Sequence, residues 1–383
     1  MAKKRMLLPL LTAALALSAP AWAQQTVKIV DLCELSGSGA VDGTNWHDGV
    51  NMAVNEINAA GGILGRKIDI IHYETQTDPG VARTQMQKAV DADPYVIMGP
   101  VMSFEVRVTM GLAQHAKIPE FSGGESSDLT AKENPYFFRT SLSQQFSLPM
   151  IAQYMHDDLH AKTIMIFWEN DDTGRSTRDV LTKEAAALGM KVIADRPGDN
   201  NQVDFAADVV RAKTLHPDVL YVHLQEQATA RFLQEIHRQG VTIPLVGDTT
   251  LMAQTVIQMA GPAADGVRGW VGLSPVLPDP LAQAFVAKFT KTYGRTPDHN
   301  AMKSYMAVYA IKYATEKVGK FDRDALINYM HGMTITPQEE PGVFIKTSWD
   351  DNGNLDRASY IVTVDSGKQK VIAVLPPHGT TKQ

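Results

Sequence analysis

The feature that most constrains this chain is a regular alternation of short apolar strands with helices, which starts near residue 27 and begins afresh near residue 143. In the first series "VKIVDLCEL" reads as a strand ending in the loop "SGSGAVDGTN". "WHDGVNMAVNEINAAGG" reads as a helix, with Val50, Val54 and Ile57 at helical spacing and Gly61-Gly62 as its stop. "KIDIIHYE" is the next strand, after which Asp78 offers an N-cap and Pro79 a first-turn proline for a helix through Val90. "YVIMG" and "IPEFS" are short buried strands. In the second series "KTIMIFWEN" precedes a helix over Gly174–Leu188, "KVIADRPG" follows, "DVLYVHLQ" leads into a helix through Arg238, and "IPLVGD" closes the set. Strands that alternate with helices pair in parallel and carry helices on both faces. The expected fold is therefore α/β, with two doubly wound parallel-sheet lobes. No long Pro/Gly/Ser linker separates the series, so several short crossings are expected between the lobes.

In open sheets of this kind ligands sit beyond the carboxyl ends of the strands. That singles out "SGSGAVDGTNW", "GPVMS", "SGGESSD", "WENDDTG", "HLQEQ" and "GDTT". The chain has no G-x-S-x-G elbow, no G-x-x-x-x-G-K-[ST] phosphate loop, no G-x-G-x-x-G after a strand and no H-E-x-x-H. A serine nucleophile in "GGESSD" has no particular histidine to pair with. His156 and His160 in "HDDLH" have a spacing that a metal can use on a helix, but Asp157 and Asp158 make the segment read as a solvated helix end. No catalytic group, metal or cofactor is expected. The glycines and hydroxyls instead suggest a cradle for a small anion. Ser103 is placed to cap a helix starting at Phe104, and Ser126 and Ser127 a turn at Asp128. A free helix N-terminus accepts a carboxylate without needing a lysine, while Gly123 and Gly124 allow close backbone approach. Serines that merely cap their own helices are the alternative.

The ends and the charge bound the setting. Lys3, Lys4 and Arg5 precede the apolar run Met6–Leu17, and Ala21-Trp22-Ala23 is a small-x-small site, so residues 1–23 read as an export signal cleaved after Ala23, with the periplasm as destination. The apolar run is short for a membrane span, which takes about 20 residues. Loss of the three basic residues moves the formal net charge from −6 to −9, which argues against nucleic acid as a partner. Cys33 is the single cysteine, so no intrachain disulfide can form; it reads as a small core residue of the first strand.

The run "LSGSGAVDG…AVNEINAAGGILGRKIDIIHYETQTDP…YVIMGPVMS" resembles the start of the periplasmic branched-chain amino-acid-binding proteins, with "NEINAAGGILGRKI" its most specific element. "FFRTSLSQQ", "DFAADVVRAK", "DVLYVHLQ", "AGPAADGVRG" and "WDDNGNL" agree in order and spacing, so the resemblance covers nearly the whole mature chain. It implies the type I periplasmic-binding fold with three hinge crossings, and lobes formed by residues 24–143 with 273–357 and by residues 144–272 with 358–383. It also implies no catalysis, a monomer, and delivery of a small solute to an ABC permease in the inner membrane. Hydroxyls in the positions of Ser103 and Ser126 would hold the ligand carboxylate, and the carbonyl of Gly124 would help hold the amine.

Elsewhere the chain departs from the resemblance. The family's frequent disulfide would join the positions of Thr77 and Met102. The aromatic that often covers the ligand falls on Thr173, with Trp168 earlier in the same loop, and a further aromatic falls near Gln225. The acid that commonly meets the amine falls on Thr249, with Asp248 beside it and Glu226 in a neighbouring loop. Trp46 and Trp168 stand at the mouths of the first strands, where they could stack on a ligand or simply pack. The expected ligand is an amino acid held by Asp248. The alternatives are an amine-free small or aromatic carboxylate, and an amide- or urea-type ligand. A transcription regulator of the same fold would carry a helix-turn-helix where the export signal stands.

Overall fold

The computed structural model describes residues 26–130, 134–199 and 202–379; the export signal expected over residues 1–23 lies outside them. The first series forms β1 (Val27–Cys33), α1 (Ala40–Ala59), β2 (Ile68–Glu74), α2 (Pro79–Asp91), β3 (Val96–Met98), α3 (Ser103–His115), β4 (Glu120–Ser122) and β5 (Phe137–Arg139). The second forms α4 (Gln144–Asp157), β6 (Thr163–Glu169), α5 (Asp172–Ala187), β7 (Lys191–Gly198), α6 (Ala206–Leu215), β8 (Val219–His223), α7 (Glu226–Arg238), β9 (Leu245–Gly247), α8 (Gln254–Ala260) and β10 (Arg268–Val271). There follow α9 (Pro280–Tyr293), α10 (His299–Val318), α11 (Arg323–Met330), β11 (Thr334–Ile335), β12 (Thr347–Trp349), β13 (Leu355–Arg357), β14 (Ser359–Asp365) and β15 (Lys368–Leu375).

One parallel sheet has the order β2-β1-β3-β4-β5. The other runs β15-β14-β10-β9-β8-β6-β7, and its parallel part, read from β7, repeats the same permutation. Both sheets thus have a switch point beside their first strand, where a doubly wound sheet opens a crevice for ligands. β14 and β15 extend the second sheet antiparallel, and β11–β13 make a small antiparallel sheet. The chain passes between the two sheets after β5, after β10, and between β13 and β14, while α10 packs along α1 beside the first sheet. Two parallel sheets joined by three crossings agree with the architecture expected from the sequence.

Local chemistry accounts for most boundaries. Asp78 caps α2 by accepting from the amides of Gly80 and Val81, with Pro79 in the first turn. Asp171 and Asp298 cap α5 and α10 in the same way. α1 begins at Ala40, six residues before the helix read from the sequence, with Asp42 in its first turn, where a negative charge suits the helix dipole. α4 ends at Asp157, and His160 takes φ 54° beyond it. His156 and His160 therefore do not share a helix face, and His156 Nδ1 pairs with Asp157 at 2.6 Å instead. Cys33 is buried in β1 as expected. At the first switch point Gly99 has φ +78°, and a Cβ there would lie 1.9 Å from the Leu32 carbonyl oxygen, so only glycine lets the chain turn from β3 toward α3.

Candidate functional site

A cavity of about 100 Å³ lies between the carboxyl edges of the two sheets. The first turns of α3 and α5, the residue before α7 and the start of α10 all contribute to its wall. Each such terminus carries amides without intrahelical partners and a partial positive charge, so the cavity is suited to a negatively charged group before any side chain is considered.

The first-sheet wall is held by a dense set of buried hydrogen bonds. Glu34 Oε1 accepts from the amides of Val101 and Met102, both at 2.9 Å. Ser103 Oγ accepts from the amides of Glu125 and Ser126, both at 3.1 Å. The hydroxyl therefore braces the neighbouring loop rather than capping its own helix, which starts at Ser103 and has no side-chain cap, and its proton is left to donate. The buried Arg139 guanidinium donates to the carbonyls of Gly124 at 2.8 Å and Ser126 at 2.7 Å. Lys303 Nζ donates to Gly123 O at 3.1 Å and lies 3.7 Å from Glu125.

Glu125 also meets Ser141 Oγ at 2.6 Å and His299 Nε2 at 3.2 Å. Burial alone would raise its carboxyl, but His299, Lys303 and Ser141 together pull it down to about 2. Burial, reinforced by Lys303, pushes His299 down to about 4, so the imidazole is neutral at pH 7. Its Nδ1 is buried and, among the described residues, has no hydrogen-bond partner; the same holds for Oε1 of Gln144, another wall residue.

The second-sheet wall centres on an ion pair. His223 Nδ1 lies 2.5 Å from Asp248 Oδ2. Burial works against the imidazolium, yet Asp248 raises it to about 9, so His223 is charged at neutral pH. Asp248 Oδ1 accepts from the amide of Thr250 at 3.2 Å. At the third side Asn300 donates to Asp42 at 2.6 Å. Burial, and then the proximity of Asp298, pushes the Asp42 carboxyl above the ordinary range. Glu226 behind them is raised by burial and by Asp42 and Asp298, and its Oε1 is without a partner among the described residues.

Of the residues singled out from the sequence, Ser103, Thr173, Gln225, Asp248 and Thr249 come together in this wall. Four do not. Gly124 is one residue short of the lining, which Gly123 supplies, and its carbonyl is held by Arg139. Ser126 is fully buried, donating to Asp128 and accepting from Arg107, each at 2.6 Å. Trp46 is core, its indole N–H bonded to Asp31 at 2.9 Å, and Trp168 donates to Asp195 at 3.1 Å with Arg178 5.0 Å from its ring. A buried indole needs a partner for its N–H, and both found one in the protein. Sequence reasoning singled out the loops that hold Asp42, Glu125 and His223 without naming those residues, and missed Asp298, His299 and Lys303. Asp298 carried a signal, a helix-capping aspartate, and His223 another, at the end of an apolar strand. Lys303 carried none.

The match of this geometry to known proteins is broad. The sequence pattern of the family described as "Periplasmic binding protein" matches residues 26–369. The Leu/Ile/Val-binding protein homolog 1 of Brucella abortus is 24% identical over 358 residues, spanning 92% of this chain and 93% of that protein. The branched-chain amino acid transporter substrate-binding protein LivJ of Streptococcus pneumoniae, solved with isoleucine, superposes with a TM-score of 0.83 at 24% identity over 92% of this chain and 99% of that one. A solute-binding protein of an ABC transporter from Rhodopseudomonas palustris, solved with 3,4-dihydroxybenzoic acid, gives 0.83 at 22% identity over 92% and 97%. With the family pattern running from β1 into β15 across both sheets and the cavity between them, the chain belongs to the periplasmic binding protein family.

Proposed function

We propose that this chain is the solute-binding component of an ABC importer in the periplasm, and that it captures one small α-amino acid as a monomer without altering it. The lobes are residues 24–143 with 273–357 and residues 144–272 with 358–383, which close on the solute and present it to the permease. The carboxylate is received at the first turn of α3, by the Ser103 hydroxyl and the helix amides. The ammonium is received by Asp42 and Asp298, with the lone pairs of His299 Nδ1 and Gln144 Oε1 as neutral acceptors.

One observation carries this reading: a seat for an anion and an excess of acceptors share one small cavity. Asp42, Glu125, Asp171, Asp248 and Asp298 outnumber Lys303 and His223 in its wall. A buried ammonium left unpaired costs several kcal/mol, and this wall offers it partners, whereas a lone carboxylate would meet like charge. Asp248, expected from the sequence to hold the amine, already faces His223, so the role passes to Asp42 and Asp298. An aromatic carboxylate is the second reading, since the Rhodopseudomonas palustris relative holds one; among the described residues Phe104 is the sole phenylalanine, tyrosine or tryptophan in this wall.

The deciding experiment is mass spectrometry of small molecules released on denaturing the purified protein, followed by a thermal-shift screen of amino acids and benzoates. An amino acid at a hundredfold its Kd should stabilise the fold by about 2.7 kcal/mol. Asp298→Asn should weaken that binding more than Asp248→Asn does. Stabilisation by amine-free acids alone would overturn the amino-acid assignment.

A further inference from the structure

Away from the solute cavity, the same first lobe gathers a second group of polar side chains. Asp31 of β1 and His72 of β2 are register partners on adjacent parallel strands, and His47 reaches them from α1. Asp31 is fully buried, while the side chains of His47 and His72 are 21% and 29% exposed. Asp31 Oδ2 lies 3.0 Å from His72 Nδ1 and 3.3 Å from His47 Nδ1, and the two rings sit with centroids 4.2 Å apart. One ligand atom from each of the three residues falls within 4.8 Å of the others. Neither histidine lines the solute cavity.

We propose that Asp31, His47 and His72 bind one late first-row divalent cation, with zinc, copper and nickel as the class. Ligand atoms about 2.0–2.2 Å from a tetrahedral ion stand roughly 3.3–3.5 Å from one another. The separations of the histidine nitrogens from the carboxylate oxygen are close to that spacing, so little movement seats an ion. Two imidazoles and one carboxylate suit these metals, whereas calcium and magnesium prefer all-oxygen sets.

The surroundings are those of a supported site. Trp46 Nε1 donates to Asp31 Oδ1 at 2.9 Å and fixes the carboxylate, with Oδ2 turned to the histidines. The Asn51 amide nitrogen, Nδ2, lies 2.9 Å from His47 Nε2. A half-turn of that amide presents its oxygen instead, so that Asn51 accepts the Nε2 proton and frees Nδ1 as a metal ligand, the usual outer-shell arrangement for a coordinating histidine. The partly exposed rings give an ion a path in from solvent. Cys33 Sγ, 3.6 Å from His47 Nδ1, stands next to the set. An ion here would tie β1, β2 and α1 together.

The competing account is a carboxylate that simply accepts three N–H bonds from Trp46, His47 and His72. Calorimetric titration of the untagged, chelator-treated mature protein with Zn²⁺, then Cu²⁺ and Ni²⁺, separates the two. One equivalent should bind, the melting temperature should rise, and ¹⁵N shifts of the His47 and His72 Nδ1 atoms should change in the wild-type protein. His72→Gln, on the more exposed ring, should weaken binding at least about 100-fold, the upper end of what even supporting residues contribute. If that variant or His47→Gln does not fold, the imidazole shifts in the wild type still decide. No stoichiometric binding, unshifted Nδ1 signals, or undiminished affinity in a folded His72→Gln protein would each overturn the site.

Discussion

The two walls of the solute cavity stand on sheets with the same strand order, yet they are held in different ways. The first-sheet wall is backbone fixed by buried side chains: Glu34 grips the amides before α3, Ser103 those after β4, and Arg139 the carbonyls between. The second-sheet wall centres on a side-chain pair, His223 with Asp248, set among the short turns of residues 248–253, with Glu169 holding the Gln225 amide and Gln369 the Met252 carbonyl beside it. The difference separates two jobs. A group common to every ligand of one class can be met by a rigid seat, whereas the part that distinguishes ligands is better met by side chains that substitution can change without refolding the lobe.

Arg139→Ala should do the most damage. It leaves the Gly124 and Ser126 carbonyls unpartnered in a buried place, at roughly 1–3 kcal/mol each, and removes the bond to Asn354 at 3.1 Å. A loss of about 4 kcal/mol in urea unfolding is expected, on the scale of these penalties, with the seat disordered as a consequence. His223→Ala strands the buried Asp248 carboxylate and should also cost several kcal/mol at neutral pH, but that loss should shrink above about pH 9, where the parent's own imidazolium discharges, while the Arg139→Ala loss persists. Losses that follow pH alike in the two variants would mean that the walls are not built differently after all.

Ser103→Ala comes next. A hydroxyl bonded to a charged group contributes roughly 1.5–3 kcal/mol, so calorimetry should show affinity falling about ten- to a hundredfold on that basis. Unchanged affinity would mean that Ser103 serves only as the acceptor for the Glu125 and Ser126 amides.

How much of this was legible follows from the range of each interaction. Strands, helices and their order came from local signals, such as the Val and Ile of β1, the Asp78-Pro79 start of α2 and the glycine stop of α1. Two of the loops that line the cavity were legible too, because "GPVMS" and "SGGESSD" lie immediately behind strands. The opposing groups were not. Lys303 reaches the wall through the packing of α10 on α1, across more than 240 residues of sequence, and Asp42 meets Asn300 by the same route. Of the two readings open for Trp46 and Trp168, stacking or packing, the indole bonds favour packing, for the converse reason. Position at a strand mouth says where the backbone is, whereas the indole N–H followed its acceptor, Asp31 or Asp195, away from the cleft.

The walls also titrate, and a pH series sharpens the contrast. Burial, then Glu34, raises Glu105 behind the first wall well above its ordinary value of 4.5. A raised carboxyl gives its full stability below the unfolded value and loses it as pH rises, so this contribution fades above about pH 4.5. His223 is raised from 6.5 to about 9, and the stability it gains from Asp248 fades across that interval. Glu125, lowered to about 2, acts in the opposite direction and is lost as pH falls below about 4.5. The melting temperature should therefore peak in the mildly acidic range and decline toward pH 9. Glu105→Gln should flatten the alkaline decline, and a decline as steep as the parent's would remove Glu105 from its causes.

The smallest effect should come from the other serine of the opening pair. Family resemblance gives Ser103 and Ser126 one role, that of holding a carboxylate. Their surroundings differ. Ser103 Oγ lines the cavity and accepts two amides, leaving its proton to donate. Ser126 Oγ gives its proton to Asp128 and receives one from Arg107. Ser126→Ala removes those two bonds but leaves the Arg107–Asp128 pair joined at 2.8 and 2.9 Å. A partly exposed ion pair that keeps its own geometry limits the change to about 1 kcal/mol or less, and solute affinity should move by no more than about twofold, a few tenths of a kcal/mol at most. Titrating both variants with the same solute isolates the point, since they lose the same chemical group from neighbouring loops. If Ser126→Ala instead weakens binding tenfold while the unfolding midpoint holds, its hydroxyl must leave Asp128 to reach the ligand, and the seat would be completed only when solute arrives.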